Sequence, residues 1–119
     1  METNSGIIRE ILKSNEFHLY YNSLDKRIQA KYDYTIHIMG TQKIISTKFV
    51  KKLQETEFYE VLVSIGTNEY RTLLIATDSP NFMEATRVVL LNSFLKKDTK
   101  QYKREIERAR TILMKEEII

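Results

Sequence analysis

A change of hydrophobic period near Phe58 limits how this chain can fold more than any other feature. Before it, apolar residues recur at helical intervals; after it, they alternate as residues in strands do. Ser14, followed by Phe17, Tyr20, Tyr21 and Leu24, predicts a first helix with Ser14 as its N-cap. Asp25 stands at a second start, and Leu24, Ile28, Tyr32, Ile36 and Met39 recur at intervals of four and three. That spacing predicts a second helix with Gly40 as its C-terminal stop. The pair reads as a helical hairpin whose aromatics belong to a core. Upstream, Ile7, Ile8, Ile11 and Leu12 predict a short strand.

Beyond Phe58, residues Tyr59, Val61, Val63 and Ile65 alternate with Glu60, Leu62 and Ser64. Gly66-Thr67-Asn68 then supplies a turn before a second strand from Glu69 to Thr77, so the segment predicts a β-hairpin. Asp78-Ser79-Pro80-Asn81 is a loop, because proline lacks a backbone donor and biases its predecessor away from helix. Another strand is predicted from about Glu84 to Leu95. In the last element, Tyr102 to Glu117, Tyr102, Ile106, Ala109 and Leu113 share one side while Lys103, Arg104, Glu107, Arg108 and Arg110 occupy the others, as in an amphipathic helix. Helices gathered before and after adjacent strands predict an α+β fold. It combines a small antiparallel-rich sheet, covered on one face by helices, with an N-terminal helical hairpin and a C-terminal amphipathic helix.

A single domain over residues 1–119 is the expectation for this length, with 42% hydrophobic and 29% charged residues arguing against disorder. No apolar run is long enough to cross a bilayer, and Glu2 and Glu10 within the first segment are unlike a secretory signal, so a cytoplasmic chain is expected. The absence of cysteine excludes disulfides and thiolate chemistry. The net charge of +3 is unevenly spread. Gln42 to Lys52 holds Lys43, Lys48, Lys51 and Lys52 without an acid; Lys96 to Arg110 sets Lys96, Lys97, Lys100, Lys103, Arg104, Arg108 and Arg110 against Asp98, Glu105 and Glu107. If the two segments meet, they form a basic surface on an otherwise acidic body, suited to a polyanion or an acidic partner.

Three glycines include neither a Walker loop nor a dinucleotide fingerprint, and His18 and His37 lack a second histidine at metal-binding spacing. The chemistry that remains is cationic. Arg71 falls inside a strand, where a guanidinium is costly to bury without a partner. Either it forms an ion pair with Glu60 or Glu69 across the hairpin, or it is a fixed planar donor for a phosphate. Lys96 and Lys97 leave the end of the last strand, where successive residues face opposite sides, so only one of them can point at a given site.

The run from Ser46 to Arg110 resembles the RelE/HigB-type toxins of bacterial type II toxin–antitoxin modules. The resemblance rests on Leu90-Leu91-Asn92-Ser93-Phe94-Leu95-Lys96-Lys97, then Thr99 and the helix with Glu105, Ile106 and Ala109. Upstream, Lys48-Phe49, Lys52-Leu53, Phe58-Tyr59-Glu60, Val63 and Asn68-Glu69-Tyr70-Arg71 stand in the same order. Such a resemblance implies a RelE-like sheet carrying two N-terminal helices and a metal-independent endoribonuclease, an mRNA interferase needing no cofactor. Cleavage on the ribosome would proceed by 2′-hydroxyl attack on the adjacent phosphate. By the same resemblance Arg71 binds the reacting phosphate, with Lys96 or Lys97 beside it. Lys48, Lys51, Lys52, Lys100, Lys103 and Arg104 hold RNA phosphates, and the partners are a cognate antitoxin of helix-turn-helix type, messenger RNA and the ribosome, with no membrane. One departure stands out: relatives carry an arginine where this chain has Leu62, and loss of one preorganised charge near a phosphorane costs about 3 kcal/mol. The usual His or Tyr acid is not identifiable: Asn92 cannot transfer a proton, and Tyr102 reads as core. A diverged, non-catalytic binding module and a gyrase-poisoning, ParE-like toxin are the alternatives on the same scaffold.

Overall fold

The computed structural model describes residues 6–118. Strand β1 (Glu10–Lys13) leads through Ser14 into helix α1 (Asn15–Asn22), and Asp25 opens helix α2 (Lys26–Thr41). Both starts follow from local chemistry. The Ser14 side chain accepts from the Phe17 amide and the Asp25 side chain from the Ile28 amide, each satisfying a donor that a helix start leaves free. Gly40 is not the stop that the sequence predicts. It lies inside α2, where its carbonyl accepts the Ile8 and Arg9 amides, and a Cβ there would meet the Arg9 carbonyl oxygen at 3.3 Å. Close backbone approach, rather than helix termination, accounts for this glycine.

Strands β2 (Val50–Lys52), β3 (Tyr59–Ile65), β4 (Asn68–Ala76) and β5 (Arg87–Leu95) follow, then helix α3 (Gln101–Lys115). The hairpin turn is Gly66-Thr67, with Gly66 at φ +59°, and the last strand starts at Arg87 because a 3₁₀ turn (Phe82–Glu84) precedes it. Sheet order is β1-β5-β4-β3-β2, antiparallel throughout except that β1 runs parallel to β5. The result is an α+β fold with a mixed, antiparallel-rich sheet.

Helices cover both faces, not one. On the first face Val61, Val63, Leu74, Val88 and Leu90 pack with Phe17, Tyr32 and Met39 of α1 and α2. On the second, Leu73, Ile75, Val89, Leu91 and Phe94 pack with Ala109, Ile112 and Leu113 of α3. Burial stabilises each large aliphatic or aromatic side chain by roughly 1.5–3 kcal/mol, so α3 is held chiefly by Ile112 and Leu113. Ion pairs at the rim add direction: Arg108 of α3 pairs with Glu16 of α1, and Arg110 with Glu57 at 3.2 Å.

Arg9 is the least expected core residue. Only 1% exposed, it has no carboxylate partner among the described residues, yet its guanidinium donates five hydrogen bonds to the carbonyls of Met39, Gln42, Lys43, Met83 and Ala85 at 2.6–3.3 Å. Its plane also lies over the Phe82 ring at 4.4 Å. The end of α2 offers carbonyls that lack helical partners and carries the negative end of the helix dipole, which is why a cation fits there. Burial pulls the Arg9 pKa down from its usual value.

Candidate functional site

A β-bulge decides which lysine joins Arg71. Thr72 pairs with Ser93 but Leu74 with Leu90, so both Leu91 and Asn92 oppose Leu73. Up to Leu91, odd-numbered residues of β5 face α3; beyond the extra residue the even-numbered ones do. Asn92 thus turns to α3, where its Nδ2 donates to the Glu105 carbonyl and to Glu105 Oε1, while its buried Oδ1 has no partner among the described residues. Ser93 turns the other way and joins a hydroxyl chain with Thr72 and Tyr32. Without the bulge the alternation would bring Lys97 to the α3 face; with it, Lys96 takes that place.

Arg71 pairs across the sheet with Phe94, and Lys96 lies two residues further on, one past the end of β5, a diagonal separation of about 7–8 Å between backbones. The Lys96 amide donates to the Glu69 carbonyl at 2.7 Å, which ties the lysine to the strand that carries Arg71. Lys51 joins the same face from β2: it pairs with Glu60, and Glu60 with Leu73, Arg71's neighbour but one. Cations from β2, from β4 and from just past the end of β5 therefore share one side of the sheet.

Arg71 itself is buried and engaged. Its Nε lies 3.5 Å from Glu60 Oε1 and its Nη1 3.2 Å from Glu69 Oε1, and Nη1 also donates to the Tyr70 carbonyl. The structure brings together both pairings that the sequence offered as alternatives. Tyr102 enters from α3: its ring meets Phe94 edge-on, and its hydroxyl donates to Glu60 Oε1 at 2.6 Å. Burial first, and the bond to Glu60 second, push the Tyr102 phenol up to about 12. The Ser64 hydroxyl, 2.7 Å away, together with Arg71 and Lys96, holds the Glu69 carboxyl below its usual range, while burial acts in the opposite direction. Leu62 stands directly opposite Arg71, so the position where the resemblance called for a second cation is apolar.

The other sequence candidates are spread out. Lys97, Lys100, Lys103 and Arg104 are exposed at the start of α3, whose first amides are capped by Asp98. Lys52 faces the opposite side from Lys51; its ammonium donates to the Leu53 and Thr56 carbonyls and lies 5.6 Å from the Tyr59 ring centre. Lys48 is exposed in the segment before β2 and lines a separate cleft at the open edge of β3. Sequence reasoning missed the Tyr102 hydroxyl and the α2 residues Lys31 and Tyr34 of that cleft. Their helical spacing signals the face but not what the face meets. Among the described residues no group of three or more His, Asp or Glu is placed to hold a metal, and no helix is long and apolar enough to cross a membrane.

No curated protein and no solved structure matches the chain. A family model described as phage-derived protein Gp49-like (DUF891) matches residues 20–114, from within α1 to within α3. That span is well over half of the sequence, and the chain belongs to this phage-derived Gp49-like family.

Proposed function

We propose that this chain is the toxin of a RelE-like toxin–antitoxin pair, a cytoplasmic endoribonuclease that cuts messenger RNA on the ribosome. The observation that carries this reading is that Arg71, Lys51 and Lys96, the last just past the end of β5, share one face of the sheet. In the reaction the ribose O2′ gives up its proton to solvent and bonds to phosphorus, the P–O5′ bond breaks, and a second proton passes to the departing O5′. Charge builds on the phosphorane oxygens, where a guanidinium and an ammonium fixed on strands are of most use. Arg71 is the phosphate donor, released from Glu69 when the substrate anion takes that carboxylate's place, while Glu60 continues to orient it. Tyr102, bonded to Glu60, is positioned as the proton donor that the sequence leaves unidentified. Exposed Lys48, Lys100, Lys103 and Arg104 supply sequence-independent attraction to RNA phosphates. A cognate antitoxin silences the activity by covering the basic face.

The test is the chemistry of the cut ends after induction. Fragments ending in a 2′,3′-cyclic phosphate and beginning with a 5′-hydroxyl support the mechanism; 3′-hydroxyl ends with 5′-phosphates would rule it out. A second reading, a binding module that keeps the fold without cleavage, is favoured by one observation: Arg71's donors are engaged by two carboxylates and a carbonyl, opposite an apolar Leu62. Intact transcripts without DNA damage signalling after induction would select it.

A further inference from the structure

Strand β2 pairs with β3 as far as Val61, and the Leu62 amide donates to the Phe49 carbonyl, which leaves only the last residues of β3, from Val63 on, as an open edge. A cleft of about 350 Å³ lies there, lined by Lys31, Tyr34 and Thr35 of α2, Lys48 and Phe49, and Leu62, Val63 and Ser64 of β3. It holds two ammonium groups and no carboxylate. Tyr34 is 57% exposed, with its ring 6.3 Å from Phe49 and tilted 60° to it, so a flat apolar surface stands open to solvent. Neither lysine is held in an ion pair among the described residues. Arg27, Lys31 and Tyr34 follow at four- and three-residue spacing along α2, which extends the positive charge on one side of the helix. Two lining residues lead back to the candidate site: Leu62 pairs with Arg71, and the Ser64 hydroxyl donates to Glu69, the carboxylate that Arg71 engages.

We infer that this cleft is a nucleotide subsite, in which Tyr34 stacks a base of single-stranded RNA and Lys31 and Lys48 hold the flanking phosphates. Two lysines without an acid select an anion, and an exposed ring beside them selects one that carries a π-face. A nucleotide has both. The proposal rests on the RNA reading above and deepens it: one base is seated against α2 on one side of the sheet, and the strand crosses the edge of β3 to reach Arg71, which faces α3 on the other side.

Binding of a fluorescent 2′-O-methyl hexanucleotide, which cannot be cleaved by this route, separates the subsite from the nuclease. The expected result is that Tyr34→Ala weakens binding about tenfold while Tyr34→Phe retains it, and that Lys48→Ala lowers the salt slope by about one. An abasic backbone of equal length should bind the wild type more weakly and show no dependence on Tyr34. Equal affinity of wild type and Tyr34→Ala, equal affinity for the abasic strand, or no binding at all would each overturn the subsite. Transcript cleavage in cells, scored in parallel, reports on the nuclease separately. Cleavage with no Tyr34 effect on binding sinks the subsite alone, and Tyr34-dependent binding without cleavage sinks the nuclease alone.

Discussion

Two buried arginines, Arg9 and Arg71, are held by partners of different chemistry. Arg9 spends its donors on five main-chain carbonyls, groups fixed by the backbone that no ligand can replace without unfolding it. Arg71 is held mainly by side-chain carboxylates, and one of them, Glu69, is partly open to solvent. A carboxylate and a phosphate present similar oxygens to a guanidinium, so the second arrangement can exchange partners and the first cannot. Charge burial alone does not separate the two arginines; the replaceability of their counter-groups does, and the proposed function rests on that difference.

The largest expected effect is on Arg9. Arg9→Met strands several buried carbonyls at about 1–3 kcal/mol each, enough to exhaust the stability of a domain this small, and chemical denaturation should show no folded baseline. Arg71→Gln should cost less, about 3 kcal/mol, because Glu60 loses its charge partner. Adding Glu60→Gln should recover part of that loss, and additive losses in the double variant would break the contrast between the two arginines. Third comes the bulge. Lys96→Ala should lower cleavage about 100-fold while Lys97→Ala leaves it within a fewfold of wild type; the reverse order would mean that the phase shift at Asn92 does not aim the lysine.

The smallest effect is titration of Tyr102. Its phenol is raised to about 12 from an ordinary 10, so the stability it contributes is complete below pH 10 and lost as pH climbs toward 12. The urea-midpoint difference between wild type and Tyr102→Phe should therefore be constant up to pH 10 and shrink above it. A difference that persists unchanged beyond pH 12 would remove Tyr102 from the Arg71 network.

How far the sequence discloses this molecule depends on the range of each interaction. The helix starts at Ser14 and Asp25 and the turn at Gly66 are legible because capping and turn chemistry act over three or four residues. Strand β2, three residues long, carries too little alternation to register. The parallel β1–β5 pairing joins segments about 77 residues apart, and α3 is set on its own face by packing with β4 and β5, neither of which a local window reports. Gly40 misleads for the same reason, since its constraint comes from Arg9 rather than from its own helix. In the site, Arg71 is legible as a charged residue in a strand, but the choice of Lys96 over Lys97 turns on one inserted residue that simple alternation hides. Tyr102 reads as core because its ring is core; only its hydroxyl departs from that role.

Mapping transcript ends after induction of Arg71→Gln, in a preparation shown to be folded by denaturation, addresses the exchangeable arginine most directly. Loss of the cuts made by wild type, with the fold intact, is the expected result. Unchanged cuts at unchanged positions would mean that Arg71 is a structural pin like Arg9.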